Sequence, residues 1–127
     1  MKLRFMTHHL ETATKVVAPD GSDVRILGQV SRGSMAHFTL DPGSISKAVA
    51  HKTVEELWFF VAGRGRMWRR CDGQEEIVDV SPGVSLTIPV GTHFQFRSDG
   101  NEPLEAVGVT MPPWPGEDEA YFVTGKW

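Results

Sequence analysis

The chain reads as an all-β sandwich or barrel. Apolar and polar residues alternate with a period of two, thirteen glycines and eight prolines break that alternation at short intervals, and helical periodicity is scarce across the 127 residues. A period of two sends successive side chains to opposite faces of a strand, so each segment offers one face to a core. The length is one domain's worth of chain, enough to bury a core without staples.

The elements follow in order from the punctuation. An N-terminal arm, residues 1–23, is weakly patterned and reads as a loop. Strands are expected at 24–31, 34–40, 45–51, 57–62, 67–71, 76–80, 84–88, 94–97 and 104–111. Gly63-Arg64-Gly65 predicts a tight hairpin, because glycine tolerates positive φ, and Asp72-Gly73 predicts another. Asp41-Pro42-Gly43 and Ser81-Pro82-Gly83 repeat one Pro-Gly turn and suggest two similar β-halves. Beyond Met111, prolines 112, 113 and 115 exclude a central strand. Residues 112–127 therefore read as an extended strap, with Trp114, Tyr121 and Phe122 available to pack. The motif-bearing core spans about 24–111 of a single domain, 1–127.

Charge and composition narrow the function classes. Thirteen Lys+Arg against sixteen Asp+Glu leave a net charge of −3, which argues against nucleic acid or an anionic membrane as partner. Cys71 stands alone, so neither an intrachain disulfide nor a cysteine-paired zinc site is available. A reducing, cytoplasmic location is expected. Residues 1–9 lack the apolar stretch of a signal peptide, and no run approaches the roughly 20 apolar residues of a membrane helix. No phosphate-binding loop, Ser-His-Asp order or metalloprotease helix is present.

One constellation carries chemistry. Gly43 is followed by Val49, His51, Glu56 and Gly63, and then by Gly83, Pro89, Gly91 and His93. This frame resembles the two motifs of the cupin superfamily, Gly-x5-His-x-His-x3-4-Glu-x6-Gly and Gly-x5-Pro-x-Gly-x2-His-x3-Asn, over about residues 43–98. The resemblance implies a double-stranded β-helix, or jelly-roll barrel. Its two histidines on one strand, its glutamate and its second-motif histidine would surround one divalent transition metal: iron, manganese, nickel, copper or zinc. It also implies a small-molecule ligand and a homodimer. Leu57, Phe59, Val61, the Pro-Trp strap, Trp68 and Trp127 could supply apolar area for that pairing.

The departures decide what chemistry is possible. Val49 occupies the first histidine position and cannot ligate, whereas His51 and Glu56 are in place. The second-motif histidine position falls on Phe94, with His93 one residue early, and the final asparagine is replaced by Arg97 or Ser98. A one-residue slip turns a side chain to the other face. If a local bulge swings His93 inward, then His51, Glu56 and His93 form a triad of two histidines and a carboxylate. Trp58, Phe60 and Phe96 would then shape a pocket in which His37 or Gln95 orients substrate. By resemblance the chemistry would be dioxygenation or isomerisation of a small polar metabolite or sugar. If instead Phe94 and Phe96 point inward, the barrel is plugged and becomes a metal-free ligand-binding or sensor module. Metal-independent sugar epimerisation would need a tyrosine acid, and Tyr121, the only tyrosine, lies in the strap.

Three local ambiguities remain. Glu56, Trp58 and Phe60 share one face of a strand and Leu57, Phe59 and Val61 the other, so either set could be the core. Arg64, Arg66, Arg69 and Arg70 form the most basic stretch and read either as partners of Glu75-Glu76 across a hairpin or as an anion-binding rim. Cys71 reads either as a small strand residue or as a thiol activated by the neighbouring Arg69-Arg70.

Overall fold

A computed structural model describes residues 5–127; residues 1–4 of the N-terminal arm lie outside the described residues. The chain forms eleven strands among the described residues: β1 (Lys15–Val17), β2 (Asp23–Val30), β3 (Gly33–Leu40), β4 (Val49–His51), β5 (Glu55–Ala62), β6 (Gly65–Cys71), β7 (Gln74–Val80), β8 (Ser85–Ile88), β9 (His93–Ser98), β10 (Leu104–Met111) and β11 (Ala120–Phe122). They pair antiparallel into two sheets, β1-β2-β3-β10-β5-β8 and β11-β4-β9-β6-β7. This is the jelly-roll sandwich expected from the alternation. No helix among the described residues is long and apolar enough to cross a membrane.

The arm and the strap each contribute a short strand, and both lie at sheet edges. An edge strand needs partners on one side only, which suits segments next to prolines and weakly patterned residues. The strand expected at 45–51 is shorter: β4 holds only its last three residues, and Ile45 keeps a single bridge to Arg97. Asp72-Gly73 is a hairpin turn, with both residues at positive φ between Cys71 and Gln74. Gly63-Arg64, in contrast, does not join paired strands. It carries the chain from β5 in the first sheet to β6 in the second. Gly63 is at φ +76°, and a Cβ there would sit 2.3 Å from the Pro103 carbonyl oxygen.

The core lies between the sheets. Val24, Phe38, Leu40, Val49, Trp58, Phe60, Met67, Phe94, Phe96 and Leu104 belong to one buried cluster. On β5, burial alternates strictly: Glu56, Trp58 and Phe60 are buried, and Leu57, Phe59 and Val61 are exposed. Phe38 and Trp58 stack with ring centroids 4.6 Å apart across β10. Gly108 makes room for that stack, since a Cβ there would lie 2.6 Å from Phe38 and 3.2 Å from Trp58. In the basic stretch, Arg69 pairs with Glu76 at 3.2 Å, as cross-strand register allows, but Arg66 turns to Asp99 at 2.9 Å.

Candidate functional site

The site is built where β4, β5 and the turn before β9 meet. The Gly91 amide donates to the His51 carbonyl at 3.1 Å, tying the second motif's turn to the end of β4. Pleat alternation then aims Glu56 and Trp58 of β5 into the same space. His51 Nδ1 lies 3.1 Å from Glu56 Oε2, but off the line of a hydrogen bond, so this buried nitrogen has no hydrogen-bond partner. Trp58 Nε1 donates to Glu56 Oε1 at 3.2 Å. The His51 ring meets Phe94 and Trp114 edge-on, with centroids 5.3 and 5.0 Å away. Both members of the pair are deeply buried, His51 at 5 % and Glu56 at 4 % exposure.

His93 does not join them. β9 pairs with β6 in unbroken register from His93 to Ser98, with no bulge to turn the strand. Phe94 and Phe96 consequently face the core, and His93 projects from the opposite face. The triad of His51, Glu56 and His93 is therefore not assembled. Val49 and Phe94 are direct cross-strand partners, both buried in the core cluster. An apolar pair thus stands at two of the four positions where the cupin frame carries ligands. Among the described residues no group of three His, Cys, Asp or Glu side chains is arranged to hold a metal ion. Two adjacent donors, His51 and Glu56, are too few for a transition-metal centre.

Of the residues expected to shape a pocket, Trp58 and Phe94 line a cavity of about 360 Å³ together with His51, Glu56, Phe38 and Val49. Phe60 and Phe96 lie outside that lining, packed in the core cluster. His37 alternates with the core residue Phe38, so it belongs to the outer face of its sheet, where Nε2 lies 3.0 Å from Glu105. Gln95, between Phe94 and Phe96, also faces outward. It is fully engaged: Nε2 donates to the Ser46 carbonyl at 2.8 Å, and Oε1 accepts the amides of Lys126 and Trp127. Neither His37 nor Gln95 reaches the cavity.

Three contributions come from segments that sequence pattern left unassigned. Asp20, in the loop between β1 and β2, lines the same cavity at 6 % exposure. Ser22 donates to its Oδ1 through both amide (2.9 Å) and hydroxyl (2.6 Å). Burial pushes the Asp20 carboxyl above the ordinary carboxylate range, Ser22 opposes this, and the charge of Glu56 adds to the rise while His51 lowers it. The Asp20-Gly21-Ser22 run does signal a turn, but nothing local places it beside His51. Second, the strap crosses the cavity's rim. The Trp114 amide donates to the Ser34 hydroxyl at 3.0 Å, and Ser34 also pairs with the Thr110 hydroxyl. Third, Glu119 fastens the strap: its carboxylate accepts the Thr53 amide (2.6 Å), the Thr53 hydroxyl (2.6 Å) and the Val54 amide (2.8 Å). Burial alone would raise the Glu119 carboxyl, but these hydrogen bonds outweigh it and hold the group below its ordinary value.

A second depression, of about 460 Å³, lies among the turns at Gly63-Arg64, Ser81-Pro82 and 100–102. It gathers no buried titratable group, whereas the cavity at His51 holds three: Asp20, His51 and Glu56.

Comparison with known proteins agrees with this architecture. A family model described as cupin domain matches residues 36–110. An uncharacterised protein of Methanocaldococcus jannaschii is 30% identical over 107 residues, covering 80% of this chain and 82% of its own length. A putative mannose-1-phosphate guanylyltransferase of Vibrio cholerae is 26% identical over 88 residues, and the match spans only 18% of that enzyme. Oxalate decarboxylase from Bacillus subtilis superposes with a TM-score of 0.80 at 18% identity, over 97% of this chain and 33% of the decarboxylase. Pac13 of Streptomyces, a nucleoside dehydratase, superposes with a TM-score of 0.75 at 17% identity, over 95% of this chain and 92% of its own.

Proposed function

The chain belongs to the cupin domain family, and from that premise we propose that it binds a small organic molecule in the barrel cavity without a bound metal, His51 and Glu56 holding the ligand's polar group. One observation carries this reading: His51 and Glu56 face the cavity while the other two ligand positions hold the buried apolar pair Val49 and Phe94. The cavity's size falls within the range of small-molecule sites, and its lining is mostly apolar with a few convergent polar groups. The unpartnered His51 Nδ1 favours a ligand that completes its hydrogen bonding.

A second reading, metal-free proton transfer on the bound molecule, is supported by Asp20. A carboxyl whose proton affinity is raised by burial, lining one cavity with a second carboxyl and an imidazole, offers the donor and acceptor that general acid–base chemistry needs. The ligand-binding and proton-transfer readings use the same three side chains. A homodimer through the outer face of the first sheet belongs to this proposal as well, because Leu57, Phe59 and Met35 are each 43 to 50 % exposed there. Trp68 and Trp127 do not contribute: Trp68 is buried, and Trp127 lies beneath the guanidinium groups of Arg66 and Arg97.

Fragment screening by ¹⁵N NMR on chelator-treated protein tests the binding reading. Bound fragments are expected to shift the indole N–H signals of Trp58 and Trp114 with no metal added, and His51→Ala to weaken them. Binding that appears only after a divalent transition metal is restored would overturn it.

A further inference from the structure

The cavity has a one-sided charge. Among the described residues, none of the 23 that line it is lysine or arginine, while Asp20, Glu56 and Glu117 are carboxylates. Two of these carboxylates are deeply buried and the described lining holds one imidazole, His51, beside Glu56, so the ionised site carries more negative than positive charge even with His51 protonated. Their oxygens are only partly satisfied. Both Ser22 donors go to Asp20 Oδ1, and no donor among the described residues reaches Oδ2. Glu56 receives one hydrogen bond, from Trp58 Nε1. Buried negative charge without enough donors is costly, and a bound group carrying positive N–H donors relieves it. The rest of the lining suits an apolar frame around such a group: Phe38, Trp58, Phe94 and Trp114 surround the acidic floor, and aromatic rings attract cations.

We propose that the ligand of this cavity is a small organic cation, an ammonium or amidinium on an apolar or single-ring frame, and that Asp20 and Glu56 select it by charge. This rests on the cavity being the binding site. It assigns the ligand's chemical class from the absence of lining cations and from the unclaimed carboxylate oxygen. An anionic ligand, such as a sugar phosphate or a dicarboxylate, would meet like charge with no counter-cation among the described lining residues.

Three probes of one shape and different charge test the assignment: benzylammonium, benzyl alcohol and benzoate, each titrated at neutral pH into the ¹⁵N-labelled protein. Benzylammonium is expected to shift the Trp58 and Trp114 indole signals and to bind at least about tenfold more tightly than the other two, since a charge pair at the edge of a partly buried site outweighs screening by water. Asp20→Asn and Glu56→Gln keep side-chain volume and are each expected to erase that preference. Benzyl alcohol or benzoate binding as tightly as benzylammonium overturns the charge assignment and leaves the cavity as a binding site. So does a preference that survives both substitutions. If none of the three probes moves either indole signal, the assignment falls together with the cavity reading.

Discussion

Restoring the two missing imidazoles gives the sharpest test of how the barrel departs from a metal centre. Val49→His combined with Phe94→His places histidines on directly paired residues of β4 and β9, on the face shared by His51 and Glu56. Both native side chains are at most 2 % exposed, so the substitutions act inside the core. Emptying a buried phenylalanine site costs about 3–5 kcal/mol, but an imidazole refills most of that space. The larger cost comes from burying ring nitrogens without partners, about 1–3 kcal/mol for each ring. A metal-free double variant is thus expected to lose roughly 2–6 kcal/mol of the 5–15 typical of a domain. At about 4 °C per kcal/mol this lowers Tm by roughly 10–20 °C. A transition metal present at a hundred times its Kd returns about 2.7 kcal/mol, or roughly 10 °C. Thermal unfolding with chelator, and then with zinc, nickel or manganese, reads both numbers. Phe94→Leu is the control: it loses bulk without gaining a ligand and responds to no metal. A metal-dependent rise in the unsubstituted protein equal to that of the double variant would refute the reasoning. Absence of any rise in a folded double variant would refute it as well, because four donors lining one cavity would then fail to hold a metal.

Two further outcomes follow from the same structure. Because the folded Glu119 carboxyl is held below its ordinary 4.5, its contribution to stability is complete above that value and is lost as pH falls through the lower folded value. Glu119→Gln, which cannot accept from all three donors, is expected to cost about 2 kcal/mol at pH 7, with the gap to the parent protein narrowing below about pH 4, as followed by acid-dependent thermal melts. Phe59→Lys puts a charge at the centre of the exposed apolar row of β5 and is expected to convert a dimer to monomer in sedimentation velocity. A parent protein already monomeric at high concentration would remove that face as an interface.

Much of this molecule is legible from local pattern, because strand alternation is a property of covalent geometry. Successive Cβ atoms must point to opposite faces, so Glu56, Trp58 and Phe60 had to share one face whatever packed against them. The turns at Asp72-Gly73 and Ser81-Pro82-Gly83 are equally local, and the loss of ligands at positions 49 and 94 is visible as soon as the motif spacing is laid out. Which face of β5 meets the core is not local. It depends on the second sheet, and with both sets apolar enough to be buried, only the packing of Trp58 against Phe38, Phe94 and Phe96 decides it.

The remaining differences have the same cause. Gly63-Arg64 carries a hairpin's residues but crosses between sheets, since a turn's conformation does not specify the partner of the strand that follows it. From sequence, Gln95 reads as a candidate pocket residue and His37 as either a pocket residue or a partly buried structural histidine. Gln95 is instead taken up by a C-terminal tail 31 residues away, and His37 by Glu105 on a neighbouring strand. Asp20 reaches the site through a loop that alternation does not describe, held by the Lys47 amide on its carbonyl and by Ser22 on its carboxylate. Local pattern set the strands, the barrel and the apolar residues at positions 49 and 94, because these rest on geometry within a few residues, while the direction of His93 waited on the pairing of β9 with β6. The tertiary structure alone decided which carboxylates share the cavity, because that depends on contacts between segments far apart in the chain.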